Sequence, residues 1–127
     1  MNILLDTHTA KWFFDDDKRL PQSAIDAIYS PESDIYISVA SIWEMAIKLS
    51  IGKLQLNGGI ANFVDTINDN GFRLLDIASE HAVEVVKLPL IHRDPFDRMI
   101  IAQAMIEDMV IMTVDANITK YGVKTIW

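Results

Sequence analysis

Short apolar segments alternate with longer amphipathic segments along this chain of 127 residues, and the alternation restricts the fold more than any other feature. Asn2–Leu5, Ile35–Val39, Phe72–Leu75 and Val110–Val114 are short and mainly apolar, which predicts buried strands. Strands that alternate with helices form a parallel sheet covered by helices on both faces. We therefore predict a three-layer α/β fold with a mainly parallel central sheet.

Helices are predicted between these strands from apolar periodicity and from residues that start or stop helices. Pro21 suits a first helical turn, and Gly52 and Pro89 suit helix ends. No repeat or Pro/Gly-rich linker divides the chain, so residues 1–127 form one predicted domain. The predicted helices are Thr7–Phe14, Pro21–Tyr29, Ala40–Ile51, Gly59–Asn68, Ser79–Leu88, and one that Asp94-Pro95 starts, with Pro95 as its first helical residue, and that reaches Asp108. Lys124–Trp127 is a predicted edge strand.

The composition excludes several classes of function. The absence of cysteine excludes disulfides, thiol catalysis and cysteine-ligated zinc. No apolar run approaches the ~20 residues of a membrane helix, and the N-terminus lacks the basic region of a signal peptide. We therefore expect a cytoplasmic protein with no membrane partner. The formal net charge of −7 argues against a non-specific nucleic-acid binder, unless part of the excess acid holds a cation that a polyanion can approach.

Four acidic residues fall where parallel α/β proteins place their functional sites, beyond the carboxyl ends of strands. Asp6 and Asp115 directly follow predicted strands, Glu44 lies in the helix after the second strand, and Asp97 is the third residue of its helix. Clustered carboxylates repel one another and favour hard divalent cations such as Mg²⁺ or Mn²⁺. Their joint placement favours an acidic cation site.

Each acid also has an ordinary structural interpretation that the sequence leaves open. Asp6 and Asp115 suit helix N-caps, Glu44 suits an ion pair with the lysine one turn later, and Asp97 suits the positive end of the helix dipole. Asp94, which directly precedes a proline, is better explained as an N-cap than as a metal ligand.

Basic and hydroxyl side chains near the acids are candidates for substrate contact. Arg93 and Arg98 could bind the scissile phosphate through their guanidinium groups, although pairing with nearby acids explains Arg93 slightly better. Thr7 and Thr113 could support the acidic ligands, and Thr113 is also a candidate for contacting substrate. The three histidines are scattered along the chain, which disfavours a metal-free mechanism based on histidine.

The ordered motifs of this chain resemble a known family across nearly its whole length. They are Leu4–His8, Ser38–Glu44, Gly52–Leu54, His92–Arg98 with Ile101–Ala104, Thr113–Asp115, and Tyr121–Val123 with Trp127. Together they are similar to those of PIN-domain ribonucleases, specifically the VapC-like toxins of bacterial toxin–antitoxin pairs.

The resemblance implies a PIN-like fold in which Asp6, Glu44, Asp97 and Asp115 form the acidic metal site of the family. Members cleave RNA phosphodiester bonds with Mg²⁺ or Mn²⁺, commonly form homodimers, and are held inactive by a cognate antitoxin. For this chain the resemblance therefore implies an RNA substrate, a homodimer and an antitoxin partner.

Three other interpretations remain possible. An aspartyl-nucleophile phosphatase expects a second aspartate two positions after Asp6, where His8 stands. A receiver domain expects adjacent acids after the first strand and a lysine after the last, and here only Asp6 follows the first strand. A PIN-fold binding or signalling module without nuclease activity would use the acids only as caps and ion pairs.

Overall fold

A five-stranded parallel sheet forms the centre of the computed structural model, which describes residues 1–127. The strands lie in the order β3-β2-β1-β4-β5, and every neighbouring pair is parallel, which confirms the predicted fold class. The strands are β1 (Asn2–Leu5), β2 (Asp34–Ser38), β3 (Arg73–Leu75), β4 (Val110–Met112) and β5 (Thr125–Ile126). The helices are α1 (Thr7–Phe14), α2 (Gln22–Tyr29), α3 (Val39–Ser50), α4 (Gly59–Asp69), α5 (Ser79–Lys87), α6 (Pro95–Glu107) and α7 (Ala116–Thr119).

Each face of the sheet has its own core, because successive strand residues point to opposite faces. In β1, Ile3 and Leu5 lie in the core covered by α1 to α4, whereas Leu4 lies in the core covered by α5 to α7. All three side chains are fully buried. Burial on both faces explains why the central strands are continuously apolar rather than alternating. None of the helices combines the length and the apolar character that crossing a bilayer requires.

Two predicted helix starts were wrong by one residue, and a local cap explains each difference. Pro21 precedes α2 as its N-cap, with an extended backbone at ψ 160°, rather than lying in the first helical turn. Val39 is the first residue of α3 and not the last residue of β2. The reason is Ser38, whose Oγ accepts a hydrogen bond from the Ala40 N–H (3.0 Å) and begins the helix there.

The C-terminal region differs most from the sequence prediction. β4 ends before Val114, whose side chain is exposed. The predicted edge strand Lys124–Trp127 shortens to β5, because β5 pairs only with the three-residue strand β4. Helix α7 was not predicted, since four residues are too few to show helical periodicity.

The topology brings the ends of several elements to one edge of the sheet. The chain leaves β1 for β2 and β3 on one side and returns to β4 and β5 on the other, so the topological switch point lies between β1 and β4. At that point Leu5 and Met112 are direct neighbours. Helix α6 leads into β4 through Asp108 in the left-handed conformation (φ 52°), and therefore begins at the same edge.

Replacing Ile111, which is fully buried in β4, by alanine is expected to lower the free energy of unfolding by about 2–5 kcal/mol. Ile106→Ala on α6, where the side chain is 44% exposed, should cost less than about 1 kcal/mol. Urea denaturation of both variants measures the difference. Equal losses would contradict the assignment of Ile111 to the core.

Candidate active site

Asp6 lies at the switch point, directly after β1, and is only 4% exposed. Its Oδ1 accepts a hydrogen bond from the Thr9 N–H (2.8 Å), so the predicted N-cap role is confirmed. Its Oδ2 accepts a hydrogen bond from the hydroxyl of Thr113, which follows β4. A cap uses one oxygen, whereas here the second oxygen joins β1 to the neighbouring strand.

Thr113 connects two of the predicted acids. Its Oγ donates to Asp6 and accepts from the Asp115 N–H (3.0 Å). The Asp115 carboxylate is partly exposed, and its Oδ1 accepts from the Asn117 N–H (2.8 Å) and caps α7. Thr113 is 3% exposed, and its hydroxyl is hydrogen-bonded to both acids. Its contact with a substrate stays a prediction.

Asp97 lies in the first turn of α6, with Oδ2 3.2 Å from His92 Nε2. Its pKa is raised from 3.8 to about 6. Burial is the main cause, the hydrogen bond with His92 opposes it, and the negative charges of Asp94, Asp6 and Asp115 raise the pKa further. Asp6 and Asp115 follow the neighbouring strands β1 and β4, and α6 begins at the same edge, so the three aspartates lie on one edge of the sheet.

Glu44 reaches this edge from α3 and is 5% exposed. Its Oε1 accepts from the hydroxyl of Thr7 (2.9 Å), the residue after Asp6. Its Oε2 accepts from Lys48 Nζ (2.8 Å), which confirms the predicted i,i+4 ion pair. Glu44 therefore makes the predicted ion pair and also lies beside the residue that follows Asp6. It is the only one of the four acids in a salt bridge with a lysine or arginine.

The donor set fits a hard divalent cation. Every predicted ligand offers carboxylate oxygens, which hard divalent cations prefer. Burial is the main cause of the raised pKa of Asp97, and the neighbouring aspartates raise it further. As the side chains stand, however, no group of three or more acidic or histidine residues could hold a metal ion directly. Their oxygens face donors of the chain instead, such as Thr9 and Thr113 at Asp6. Direct binding by three of them requires side-chain rearrangement.

Asp94 has the capping role predicted for it. Its Oδ1 accepts from the N–H groups of Phe96 (2.9 Å) and Asp97 (3.1 Å) at the start of α6. Asp94 acts on the site through its charge, which contributes to the raised pKa of Asp97.

The two candidate phosphate-binding arginines differ in their surroundings. Arg93 is exposed at the start of α6 and lines a groove beside it. The guanidinium of Arg98 donates to the carbonyl oxygens of Pro89 (2.8 Å) and Val85 (3.3 Å), which ties α6 to the end of α5. Phosphate binding by either arginine stays a prediction.

Two residues of this region were not identified as site residues from the sequence. His92 contacts Asp97, and its Nδ1 lies 2.7 Å from the hydroxyl of Tyr121. The signal for His92 was its position five residues before Asp97, in the same polar segment. No sequence pattern links Tyr121 to that segment, because the contact is made across 29 residues of chain.

The other two histidines lie away from this contact, as their scatter in the sequence suggested. His81 is buried, where Nδ1 accepts from the Ala78 N–H (2.9 Å) and Nε2 contacts Glu107 (2.9 Å) at the far end of α6. His8 is exposed and packs near Trp12, with ring centroids 6.0 Å apart.

The fold and the acidic edge agree with the family that the chain matches. Residues 3–124 match the PIN domain family, and the chain belongs to that family. PIN domains are nucleases, which places the chain in a class of proteins that cleave nucleic acid. No curated protein matches the chain in sequence.

The fold is also similar to those of solved structures. The chain is similar to VapBC2 from Rickettsia felis bound to a promoter DNA fragment (TM-score 0.74, 13% identity, 99% of this chain and 98% of that chain). It is also similar to VapBC-1 from nontypeable Haemophilus influenzae (TM-score 0.72, 14% identity, 99% and 97%). A more distant similarity is to the PIN domain endonuclease Utp24 (TM-score 0.55, 16% identity, 94% and 75%). The resemblance to VapC-like PIN domains is thereby confirmed.

Removing the charge of Asp97 is expected to stabilise the metal-free protein at neutral pH. Because its folded-state pKa is raised from 3.8 to about 6, the folded state retains between these values a proton that the unfolded state has lost. Stability is therefore lost as the pH rises from about 4 to about 6, by up to about 3 kcal/mol. Asp97→Asn should be more stable than wild type at pH 7 in EDTA and equally stable at pH 4, as measured by urea denaturation.

The matched control is Asp65→Asn on the exposed surface of α4. It removes one negative charge elsewhere and should leave the pH dependence of the wild type in place. A gain in Asp97→Asn that is the same at pH 4 and pH 7 would contradict the raised pKa.

Proposed function

We propose that this protein is a divalent-metal-dependent endoribonuclease that hydrolyses RNA phosphodiester bonds in the cytoplasm, and that it is the toxin of a toxin–antitoxin pair. The observation that carries the proposal is the convergence of Asp6, Asp97 and Asp115 at the switch point. Membership of the PIN domain family supports phosphodiester cleavage. The likeness of the fold to VapBC structures supports the role of toxin.

The residues at the acidic edge have separable roles in this mechanism. Asp6, Asp97 and Asp115 would hold Mg²⁺ or Mn²⁺, which when bound supplies an activated water and offsets charge on the phosphoryl oxygens. Thr113 sets the relative positions of Asp6 and Asp115 through its two hydrogen bonds. Glu44 adds an oxygen ligand or orients the attacking water, and Lys48 limits how far its carboxylate can turn.

An antitoxin segment with basic residues would inhibit such a site directly. Asp6, Asp97 and Asp115 have no lysine or arginine partner within the chain, and the protein carries a net charge of −7. A basic side chain placed among these acids would compete with the cation. Charge complementarity of this kind speeds association and makes it sensitive to salt.

Exposed apolar side chains support the homodimer. Trp43 on α3, Ile51 directly after α3 and Val86 on α5 are 59%, 58% and 86% exposed. Trp43 also borders a groove of about 380 Å³ between α3, α5 and α6 that is lined mainly by apolar residues. Exposed apolar surface of this kind is typical of association sites, and a second copy of the chain would bury it.

RNA digestion tests the nuclease directly. The purified protein should cleave RNA with Mg²⁺ or Mn²⁺ and lose the activity in EDTA, and Asp6→Asn should lower the cleavage rate by at least about 100-fold, the upper end of losses seen when the support of a metal ligand is removed. Asp65→Asn again controls for the loss of one charge. Mn²⁺ should also raise the melting temperature of the wild type, because it binds only the folded site.

Two results would contradict this function. Cleavage that continues in EDTA would exclude metal-dependent chemistry, and full activity of Asp6→Asn would exclude Asp6 from the site. A rise in melting temperature with Mn²⁺ but no cleavage of RNA would favour the binding module without nuclease activity.

The homodimer is tested by placing a charge on the exposed surface. The wild type should have a solution mass of about twice 14.4 kDa, and Val86→Asp should reduce it to that of one chain because a buried carboxylate opposes association. Tyr29→Asp, at a 67% exposed position of α2, is the control. Sedimentation analysis measures both, and a wild type that is monomeric at all concentrations would refute the dimer.

A further inference from the structure

We propose that Tyr121 and His92 are positioning residues that hold the carboxylate of Asp97 through a directed chain of hydrogen bonds starting at Arg98. This inference rests on the proposed function, since it assumes that Asp97 is a metal ligand. The chain runs from the guanidinium of Arg98 to the hydroxyl of Tyr121, then through the imidazole of His92 to Asp97 Oδ2.

The hydroxyl oxygen of Tyr121 is the centre of the chain. It accepts hydrogen bonds from the backbone N–H of His92 (3.2 Å) and from Nη1 of Arg98 (3.1 Å). It also lies 2.7 Å from Nδ1 of His92, the shortest of these contacts. The tyrosine itself is 7% exposed, so most of its surface is shielded from water.

Counting protons at that oxygen determines the tautomer of His92. A phenolic oxygen has two lone pairs and one proton, and the His92 N–H and Arg98 already use both lone pairs. The single tyrosine proton has two acceptors within reach, the His92 carbonyl oxygen at 3.4 Å and Nδ1 at 2.7 Å. Because no lone pair of the phenolic oxygen remains for an Nδ1 proton, the much shorter contact is made by the tyrosine proton, and Nδ1 is the acceptor. Neutral histidine then carries its proton on Nε2, which faces Asp97 Oδ2 at 3.2 Å.

Arg98 fixes which groups donate and which accept in this series of hydrogen bonds. Its guanidinium is anchored by the carbonyl oxygens of Pro89 and Val85, at 2.8 and 3.3 Å, so it presents a fixed donor to Tyr121. Its guanidinium has only hydrogen-bond donors and cannot accept a hydrogen bond. Each group in the series therefore donates to the next: Arg98 to Tyr121, Tyr121 to His92, and His92 to Asp97.

The consequence for Asp97 is a restricted carboxylate. Oδ2 of Asp97 is held by His92, whereas no donor of the protein contacts Oδ1. A ligand whose orientation is set by outer hydrogen bonds loses less freedom when it binds a cation, and removal of such bonds typically weakens metal binding by about 10–100-fold. Asp6 has the equivalent support from Thr9 and Thr113.

The first experiment reads the tautomer without metal. Long-range ¹⁵N–¹H spectra of the wild type at pH 8 in EDTA should show His92 as the Nε2–H tautomer. Tyr121→Phe, which removes one oxygen, should give a mixture of tautomers. An Nδ1–H tautomer in the wild type would overturn the proposal.

The second experiment measures Mn²⁺ affinity by calorimetry. Tyr121→Phe should weaken the affinity by about 10-fold. Tyr36→Phe, a partly buried tyrosine of β2 outside the hydrogen-bond chain, should leave it unchanged. His92→Leu should weaken affinity, and His92→Gln, which keeps an N–H donor, should retain most of it.

A double variant separates positioning from a general role in packing. If Tyr121 acts through His92, Tyr121→Phe should have no further effect on Mn²⁺ affinity in the His92→Leu background. An equal loss in both backgrounds would overturn the proposal.

The outcomes also distinguish this inference from the proposed function. Mn²⁺ affinity that is lost in Asp97→Asn but unchanged in Tyr121→Phe would overturn the positioning role alone. A wild type that binds no Mn²⁺, or an Asp97→Asn variant that binds normally, would overturn the metal site and the positioning role together.

Discussion

The parallel pairing of β1 with β4 is the interaction on which the site depends. It places Leu5 beside Met112, so that the residues after both strands meet at the switch point. The hydroxyl of Thr113 then bridges Asp6 and the backbone of Asp115, although more than a hundred residues separate the first two. Without this pairing, nothing in the fold would bring Asp6 and Asp115 close together.

The remaining structure balances the electrostatic cost of that arrangement. Carboxylates that are brought together out of water destabilise the metal-free protein, as the raised pKa of Asp97 indicates. Two apolar cores, one on each face of the sheet, provide the compensating stability. Hydrogen bonds from Thr9, Thr7 and His92 hold the acids individually, so each side chain stays ordered while the group as a whole favours a cation.

Much of the fold could be predicted because its signals are local. All five strands were predicted to within two residues at their ends, and the helices between them followed from periodicity. Asp6, Asp97 and Asp115 could be selected for the same reason, since each stands beside an element end, whereas Glu44 lies in the middle of α3. The exception was short: α7, with four residues, escaped detection.

The sequence by itself determined the fold class, the three helix caps at Asp6, Asp94 and Asp115, and the ion pair of Glu44 with Lys48, because these depend on residues within a few positions of one another. Only the tertiary structure decided that Tyr121 contacts His92 and that Thr113 bonds to Asp6. Those contacts join segments distant in the chain, and their geometry depends on how helices pack on a twisted sheet, which no local pattern encodes.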